Sequence, residues 1–291
     1  MKLPMTIIAS ICLTIVSCQN KNNKTKFDNQ VKRIEIKTEL DSTEKEIKTK
    51  SDLQNKTFDW AITQTLKQKL ISELQQDSTK IDKDIMQFLD EYSKIVNDFN
   101  DILFDLSNYD SLNTLAYAPD DTIYAIAIDF KRKAEANGFN IAQSEGMIYM
   151  TKNTDYIKSD IIELLDSTSI EFLNLYCQEI DSICCDDASI IIPEKSLVNR
   201  AFLWGNLMDK AQKLEYKDVA ESEFNKYISL IYLGQENTPS FDWTTKKFNK
   251  NLYDLMNEIR EKYPSSRASK TFKEFTELLV QSDFKKTNKI D

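Results

Sequence analysis

The sequence predicts a mostly α-helical fold: an irregular helical bundle of stacked helical hairpins, with one long heptad-patterned helix and one small β-hairpin. Apolar residues recur at spacings of three and four along much of the chain, which is the helical period. Glycine occurs only four times in 291 residues and proline five times, too rarely for a turn-rich sheet protein. Hydrophobic residues make up 41% of the chain, so the helices can bury a common core.

The longest helix is predicted over 79–109, where apolar residues form a heptad seam. We expect Asp77 and Ser78 to cap its start. A preceding helix over 58–76 has an apolar face of its own, so the two helices should pack as an antiparallel hairpin. Pairing within the chain is favoured over dimerisation through the seam. The seam consists of Ile81, Ile85, Phe88, Tyr92, Ile95, Phe99, Ile102, Leu106 and Tyr109, and the face of the first helix of Ile62, Leu66, Leu70 and Leu74.

The later elements are predicted from turn and capping residues. After Ala118-Pro119-Asp120-Asp121, a helix over 122–136 is closed by Asn137-Gly138. Glu145-Gly146 joins two strands near 139–151 into the β-hairpin. A break is predicted at 184–193. Helices are predicted over 155–165, 168–183, 196–213, 216–233, 245–262 and 266–281.

Three apolar stripes on the C-terminal helices are interpreted as core rather than as a cofactor site, because their spacing is that of one helix face. They are formed by Leu197, Ala201, Trp204, Met208 and Ala211, by Phe248, Leu252, Leu255 and Ile259, and by Phe272, Phe275 and Leu279.

Two residue types limit the chemistry. Histidine is absent, so serine hydrolases with a histidine base, histidine zinc sites and cysteine proteases are excluded. The four glycines are scattered, and neither the dinucleotide-binding pattern nor the Walker loop can be built from them. No catalytic residue, metal site or cofactor site is therefore predicted, and any enzyme here would depend on carboxylates, Lys, Tyr or Cys.

The net charge of −9 is unevenly distributed. Residues 19–57 carry ten Lys/Arg against seven Asp/Glu, whereas residues 58–291 carry 27 against 40. An acidic body repels phosphate backbones, and only five of the 38 basic residues are Arg, the better reader of bases. No nucleic-acid partner is expected.

The N-terminus has the pattern of an export signal. An apolar run from Met5 to Val16 follows Lys2 and is too short to span a bilayer of about 30 Å. It ends in Ile15-Val16-Ser17-Cys18, which resembles the lipobox of bacterial lipoproteins, with Ile15 where Leu is commonest. The resemblance implies that 1–17 is a removable signal peptide. It also implies lipidation of Cys18, which would hold the protein on a membrane of the cell envelope. An ordinary secretory leader or an uncleaved anchor is the alternative.

The remaining chain is divided by composition. Residues 18–57 are rich in Lys, Asn, Thr and Glu and are interpreted as a flexible tether. Docking of Val31–Ile36 on the body as an edge strand or short helix is the alternative. The body is divided into an N-terminal helical hairpin over 58–116 and a helical domain over 117–291.

A second resemblance concerns the C-terminal helix pair. The stretch Tyr263-Pro264-Ser265-Ser266-Arg267-Ala268 resembles the junction between helices in tetratricopeptide-like envelope lipoproteins. It covers one helix pair, and the sequence shows no 34-residue period. The resemblance implies a packed helical hairpin at this end of the chain.

Three cysteines remain after Cys18, namely Cys177, Cys184 and Cys185. Buried thiols are the favoured interpretation, with a redox or metal role as the alternative. A disulfide between the adjacent Cys184 and Cys185 would be strained. Together with Asp186 and Asp187, these two cysteines could also offer ligands to a cation.

Two further groups of side chains could carry a function. Asp98, Asp101 and Asp105, with Glu91 nearby, share a face of the long helix; they could serve as acid and base, but a solvated face is favoured. The aromatic residues could line a sugar or peptide groove. Phe241-Asp242-Trp243 is the best exposed candidate because it lies in a loop, although a packed loop anchor is favoured. The other tryptophans are Trp60 and Trp204.

These observations predict a membrane-anchored envelope lipoprotein that serves as a protein-interaction or assembly module. Its expected partners are the membrane, through the lipid on Cys18, and another envelope protein. One alternative is a carboxylate-based enzyme or a small-ligand or glycan receptor at the cell wall. Another is a toxin-neutralising lipoprotein of the immunity type.

Overall fold

A computed structural model of the chain describes residues 57–117 and 122–287, which belong to one compact unit. The mostly α-helical class is confirmed. The described residues do not include the predicted signal peptide, Cys18 or residues 18–56 of the predicted tether over 18–57. The predicted domain boundary between 116 and 117 stays a prediction. Within the described part, every helix lacks either the length or the apolar composition needed to cross a bilayer.

The described residues form helices and two short β-hairpins. In chain order, the elements are α1 (Ile62–Gln76), α2 (Ile81–Phe104), α3 (Tyr109–Leu112), α4 (Thr114–Tyr117), α5 (Ala125–Ala136), β1 (Phe139–Ser144), β2 (Met147–Lys152), α6 (Thr154–Lys158), a 3₁₀ turn (Ile162–Leu164), α7 (Ser167–Asp181), β3 (Cys185–Asp186), β4 (Ser189–Ile190), α8 (Glu194–Lys210), α9 (Lys217–Leu233), α10 (Lys250–Lys262) and α11 (Arg267–Gln281).

Helices α1 and α2 pack against each other, as the apolar pattern predicts. The seam residues from Ile81 to Ile102 are buried within the chain, which confirms intramolecular packing. The prediction that Ile62 lies on the buried face of α1 is wrong, because 37% of this end residue is exposed. The predicted cap is also wrong: Asp77 accepts a hydrogen bond from the Thr79 N–H, in a turn before the helix begins.

The predicted continuation of the long helix to 109 is wrong, because α2 ends at Phe104. The Leu106 N–H bonds to the Leu103 carbonyl, three residues back, which tightens and ends the last turn. The chain then turns into α3, where the Tyr109 hydroxyl donates to the Ile148 carbonyl of β2 at 3.0 Å. Tertiary contact with the hairpin therefore overrides the heptad pattern.

The predicted β-hairpin is confirmed, with Ser144 opposite Met147. Glu145 and Gly146 both have positive φ, as a two-residue hairpin turn requires. Strand β2 is held to α2 by Asn100, whose amide donates to the Met150 carbonyl and whose oxygen accepts from the Met150 N–H.

A second hairpin, β3–β4, lies inside the predicted break at 184–193. Its turn residues Asp187 and Ala188 have φ of 43° and 53°. The carbonyl of Ala188 accepts from the Asn237 N–H, which ties the turn to the loop after α9. A contact distant in sequence thus stabilises a turn whose residues are not typical hairpin formers.

The C-terminal half is a helical layer around α8, which packs against α7, α9, α10 and α11. The predicted stripe on α8 is confirmed, and Trp204 at its centre is fully buried. The other two stripes also contribute to the core, with Leu255 and Ile259 partly buried. Helix α10 pairs with α11, and the Ser266 hydroxyl between them accepts from the Ser269 N–H at the start of α11.

Three predicted helix boundaries are corrected. The helix over 155–165 is interrupted, because Asp160 has a φ of 65°, incompatible with a continuous right-handed helix. The helix over 122–136 begins only at Ala125, since Tyr124 is extended. The helix over 245–262 begins at Lys250, where Asn249 provides the cap. The preceding residues form an extended bridge instead.

Candidate functional site

The most concentrated buried polar network surrounds Glu179 at the end of α7. One of its oxygens accepts from the Trp204 indole at 3.0 Å, and the other accepts from the Tyr227 hydroxyl at 2.5 Å. The same oxygen pairs with Arg200 at 3.3 Å, and the Arg200 side chain is 2% exposed. Burial and the hydrogen bond to this carboxylate raise the pKa of Tyr227. The network gives a buried guanidinium a counter-charge, which is the ordinary structural use of such a group.

This network is not among the features predicted from the sequence, although one signal was present. Arg200 follows Leu197 by three residues and precedes Trp204 by four, so it lies on the apolar face of α8. A charged side chain at such a position needs a buried partner. That partner comes from another helix, which the sequence does not identify.

The two adjacent cysteines lie next to this network at the start of β3. Both are free thiols, and the sulfurs of Cys184 and Cys185 are 3.1 Å apart. Burial, and after it the neighbouring Cys184, raise the pKa of Cys185 to about 12. A thiol with so high a pKa is a poor nucleophile at neutral pH.

Cys177 lies apart from this pair, deep in α7. Burial raises the pKa of its thiol to about 12. The amine of Lys152 donates to the hydroxyl of Tyr176, and burial lowers the pKa of that amine. The interpretation of the cysteines as buried thiols is supported for Cys177 and Cys184, whereas Cys185 is half-buried.

Among the described residues, no group of three or more Cys, Asp or Glu side chains is arranged to hold a metal ion. Asp186 and Asp187, which the alternative interpretation offers as cation ligands, are exposed on the second hairpin. A depression of about 530 Å³ lies between α10 and α11, where Glu261 is the sole carboxylate among Arg260, Lys270 and Lys273. It does not present a pair of carboxylates for acid–base chemistry.

The carboxylates of the long helix are solvated, as favoured by the sequence. Asp98, Asp101 and Asp105 are all exposed. Glu91 is half-buried and accepts from Gln87 at 2.7 Å, a contact that contributes most to lowering its pKa. These side chains do not converge on a common cavity.

The three tryptophans have different environments. Trp204 is fully buried, and Trp60 packs edge-on against Phe99 and Phe139 in the core of the N-terminal half. Trp243 is 64% exposed. The preference for a packed loop anchor is therefore right for Phe241, which is 7% exposed, and wrong for Trp243.

The geometry of the loop explains this difference. Phe241 and Phe248 are bridge partners whose rings meet edge-on, with centroids 5.1 Å apart, so both side chains point into the core. Between them the Asp242 carboxylate accepts from the N–H groups of Thr244 and Thr245. This turn leaves Trp243 directed outward, with the amine of Lys246 above its ring at 5.6 Å from the centroid.

Further lysines lie close to this turn along the backbone. Lys247 is the bridge partner of Lys285, and the Lys286 N–H donates to the Lys246 carbonyl. Two parts of the chain that are distant in sequence therefore place lysines side by side. We refer to this surface as the Trp243 face; it consists of Trp243, Lys246, Lys247 and Lys285.

No family model, curated protein or solved structure matches this chain.

Proposed function

We propose that the protein is a membrane-anchored lipoprotein of the bacterial cell envelope, whose helical body is a protein-interaction or assembly module. The observation that carries the proposal is the segment Ile15-Val16-Ser17-Cys18 at the end of a short apolar run. Acylation of Cys18 would add about 0.8 kcal/mol of membrane affinity for each buried CH₂ group, so two or more acyl chains give a lasting anchor.

The body supports a role in binding. Its strongest polar network, around Glu179, is committed to internal contacts, whereas several large apolar side chains are exposed. Among them, Tyr117 is 65% and Trp243 is 64% exposed. Exposed aromatic residues are typical of surfaces that bind a partner, because they bury a large area on contact.

A glycan or small-ligand receptor at the cell wall is the second candidate function. The outward position of Trp243 favours it, since an exposed indole offers a flat apolar surface with a polar edge. The carboxylate-based enzyme has less support because Asp98, Asp101 and Asp105 lie on a solvated helix face. The immunity-type role remains a prediction.

The anchor and the module are tested together in the native cell. Radiolabelled palmitate should enter the wild-type protein and not the Cys18→Ala variant. After extraction in mild detergent, the acylated protein should migrate in a complex with a second envelope protein. Label retained by Cys18→Ala would contradict the anchor. A wild-type protein that migrates only as a monomer would contradict the assembly role.

A further inference from the structure

The Trp243 face carries a charge opposite to that of the body around it. Its three lysines are accompanied by two carboxylates: Asp242, which bonds within its own turn, and Asp283, which lies 3.7 Å from Lys247 and 4.0 Å from Lys285. The lysines of the face therefore outnumber its carboxylates by one, on a body in which 40 Asp/Glu outnumber 27 Lys/Arg.

Two lysines of this face lie opposite each other. Like charges directly opposite each other on neighbouring strands are unfavourable, yet Lys247 and Lys285 are bridge partners. Their side chains are 52% and 58% exposed, so they remain available to an external anion. Asp283, the carboxylate near both, is itself 75% exposed and neutralises only one charge.

The exposed indole adds a second property to the same face. Trp243 is 64% exposed and lies beside Lys246. The φ of Lys246 is 57°, which is unfavourable for any residue other than glycine. Tryptophan prefers the boundary between water and lipid, because its ring is apolar and its N–H is polar. A tryptophan among lysines therefore matches a surface with anionic headgroups above an apolar layer.

From this combination we infer that the Trp243 face docks on an anionic lipid surface, with the lysines over the headgroups and the indole at the edge of the acyl layer. The inference rests on the proposed function, because an acylated Cys18 would keep the body close to the bilayer. Each lysine near an anionic surface contributes about fivefold to the docking equilibrium. Removing three lysine charges should therefore lower the docked-to-undocked ratio by about a hundredfold.

The experiment uses the acylated mature protein purified from membranes and reconstituted in vesicles that contain lipids with brominated acyl chains, which quench nearby indoles. One set of vesicles is phosphatidylcholine alone, and the other is an equal mixture of phosphatidylcholine and phosphatidylglycerol. Quenching of Trp243 emission is expected in the mixed vesicles and not in the neutral ones. High salt should reverse it, because screening shortens the range of the attraction.

Matched variants show which residues are responsible for the quenching. Trp243→Phe should abolish the quenching, since Trp204 is fully buried and the partly buried Trp60 packs against the core. A variant with Lys246→Gln, Lys247→Gln and Lys285→Gln should also lose it. The control variant carries Lys69→Gln, Lys80→Gln and Lys131→Gln, which make the same change of charge on α1, the α1–α2 turn and α5. This control should keep the quenching. Equal quenching in both kinds of vesicle would overturn the inference. Absence of quenching in the mixed vesicles would also overturn it, and is the result expected if the face binds an acidic protein partner instead.

The anchor is assessed separately in the same preparation. Flotation of the protein with neutral vesicles reports acylation alone, because those vesicles lack anionic headgroups. Failure to float with neutral vesicles would contradict the proposed function. Quenching in the mixed vesicles would still decide whether the face binds anionic lipid.

Discussion

Gly138 is a backbone position on which much of the N-terminal packing depends. Its φ is +91°, and a Cβ atom added there would lie 2.7 Å from the Tyr92 hydroxyl and 2.8 Å from a ring carbon of Tyr156. Its carbonyl accepts from both the Tyr92 hydroxyl and the Asn153 N–H. Glycine is therefore required for both the backbone conformation and the close approach.

We predict that Gly138→Ala lowers the free energy of unfolding by about 3 kcal/mol, from backbone strain and overpacking together. Gly146→Ala is the matched control: its φ is +78°, but nothing lies within 4 Å of the added Cβ. It should lose only about 1 kcal/mol, the cost of the left-handed conformation. Urea denaturation of both variants measures the difference, and equal losses would contradict the proposed clash.

The Glu179 network leads to a second prediction for single side chains. Glu179→Ala leaves the buried Arg200 guanidinium without its counter-charge and should cost about 3 kcal/mol or more of unfolding free energy. The control Glu171→Ala removes a carboxylate of the same helix that pairs with Lys210 near the surface, and should cost less than about 1 kcal/mol. Similar losses in the two variants, measured by urea denaturation, would show that the Glu179 network does not stabilise the core.

The sequence could predict the burial of Trp204 and not the exposure of Trp243. Trp204 belongs to a helical stripe, where spacing alone assigns a face. Trp243 lies in a loop, where the path of the backbone decides the direction of the side chain. Here the bridge between Phe241 and Phe248 takes the core positions and directs Trp243 outward.

Helix ends follow local hydrogen bonds more closely than they follow apolar periodicity. The Asp166 carboxylate accepts from the N–H groups of Thr168 and Ser169 and fixes the start of α7. We predict that Asp166→Ala costs about 1 kcal/mol of unfolding free energy. Asp98→Ala, on the exposed face of α2, should cost less than about 0.5 kcal/mol. Thermal unfolding of the two variants tests this, and an unchanged midpoint for Asp166→Ala would contradict it.

The two hairpins show which elements a single sequence can reveal. Glu145-Gly146 carries a glycine at a position of positive φ, so the first hairpin was predictable. The second uses Asp187 and Ala188, and alanine rarely adopts positive φ. Its turn is stabilised by Asn237 from a distant loop, which no local pattern could indicate.

For the whole molecule, the titration of buried groups predicts a loss of stability in alkali. Burial raises the pKa of Cys177, Tyr176 and Tyr216 to about 12 each. Above the ordinary thiol pKa, the unfolded chain releases the Cys177 proton while the folded chain retains it. The folded state then binds more protons, so the free energy of unfolding falls as the pH rises from about 9 toward 12.

We predict that the free energy of unfolding falls less steeply with pH in Cys177→Ala than in the wild type. Burial lowers the pKa of Lys152, which acts in the opposite direction in both proteins. A single such thiol contributes a slope of up to about 1.4 kcal/mol per pH unit. Urea denaturation of wild type and variant at pH 8 and pH 10.5 measures the two slopes. Equal slopes would show that Cys177 titrates normally in the folded protein.

The fold class could be predicted from composition and periodicity, because they depend on every residue of the chain. The Trp243 face could not. Lys247 and Lys285 are far apart in sequence, and only the bridge between them places them on one surface. The buried counter-charge of Arg200 could not be predicted for the same reason, since Glu179 belongs to another helix.

The most direct test of the account is mass spectrometry of the N-terminal peptide of the mature protein isolated from its own membranes. A lipid-anchored protein predicts a peptide that begins at Cys18 and carries the mass of its acyl chains on that residue. A peptide that begins at any other residue, or an unmodified Cys18, would contradict the anchor on which the proposed place of action depends.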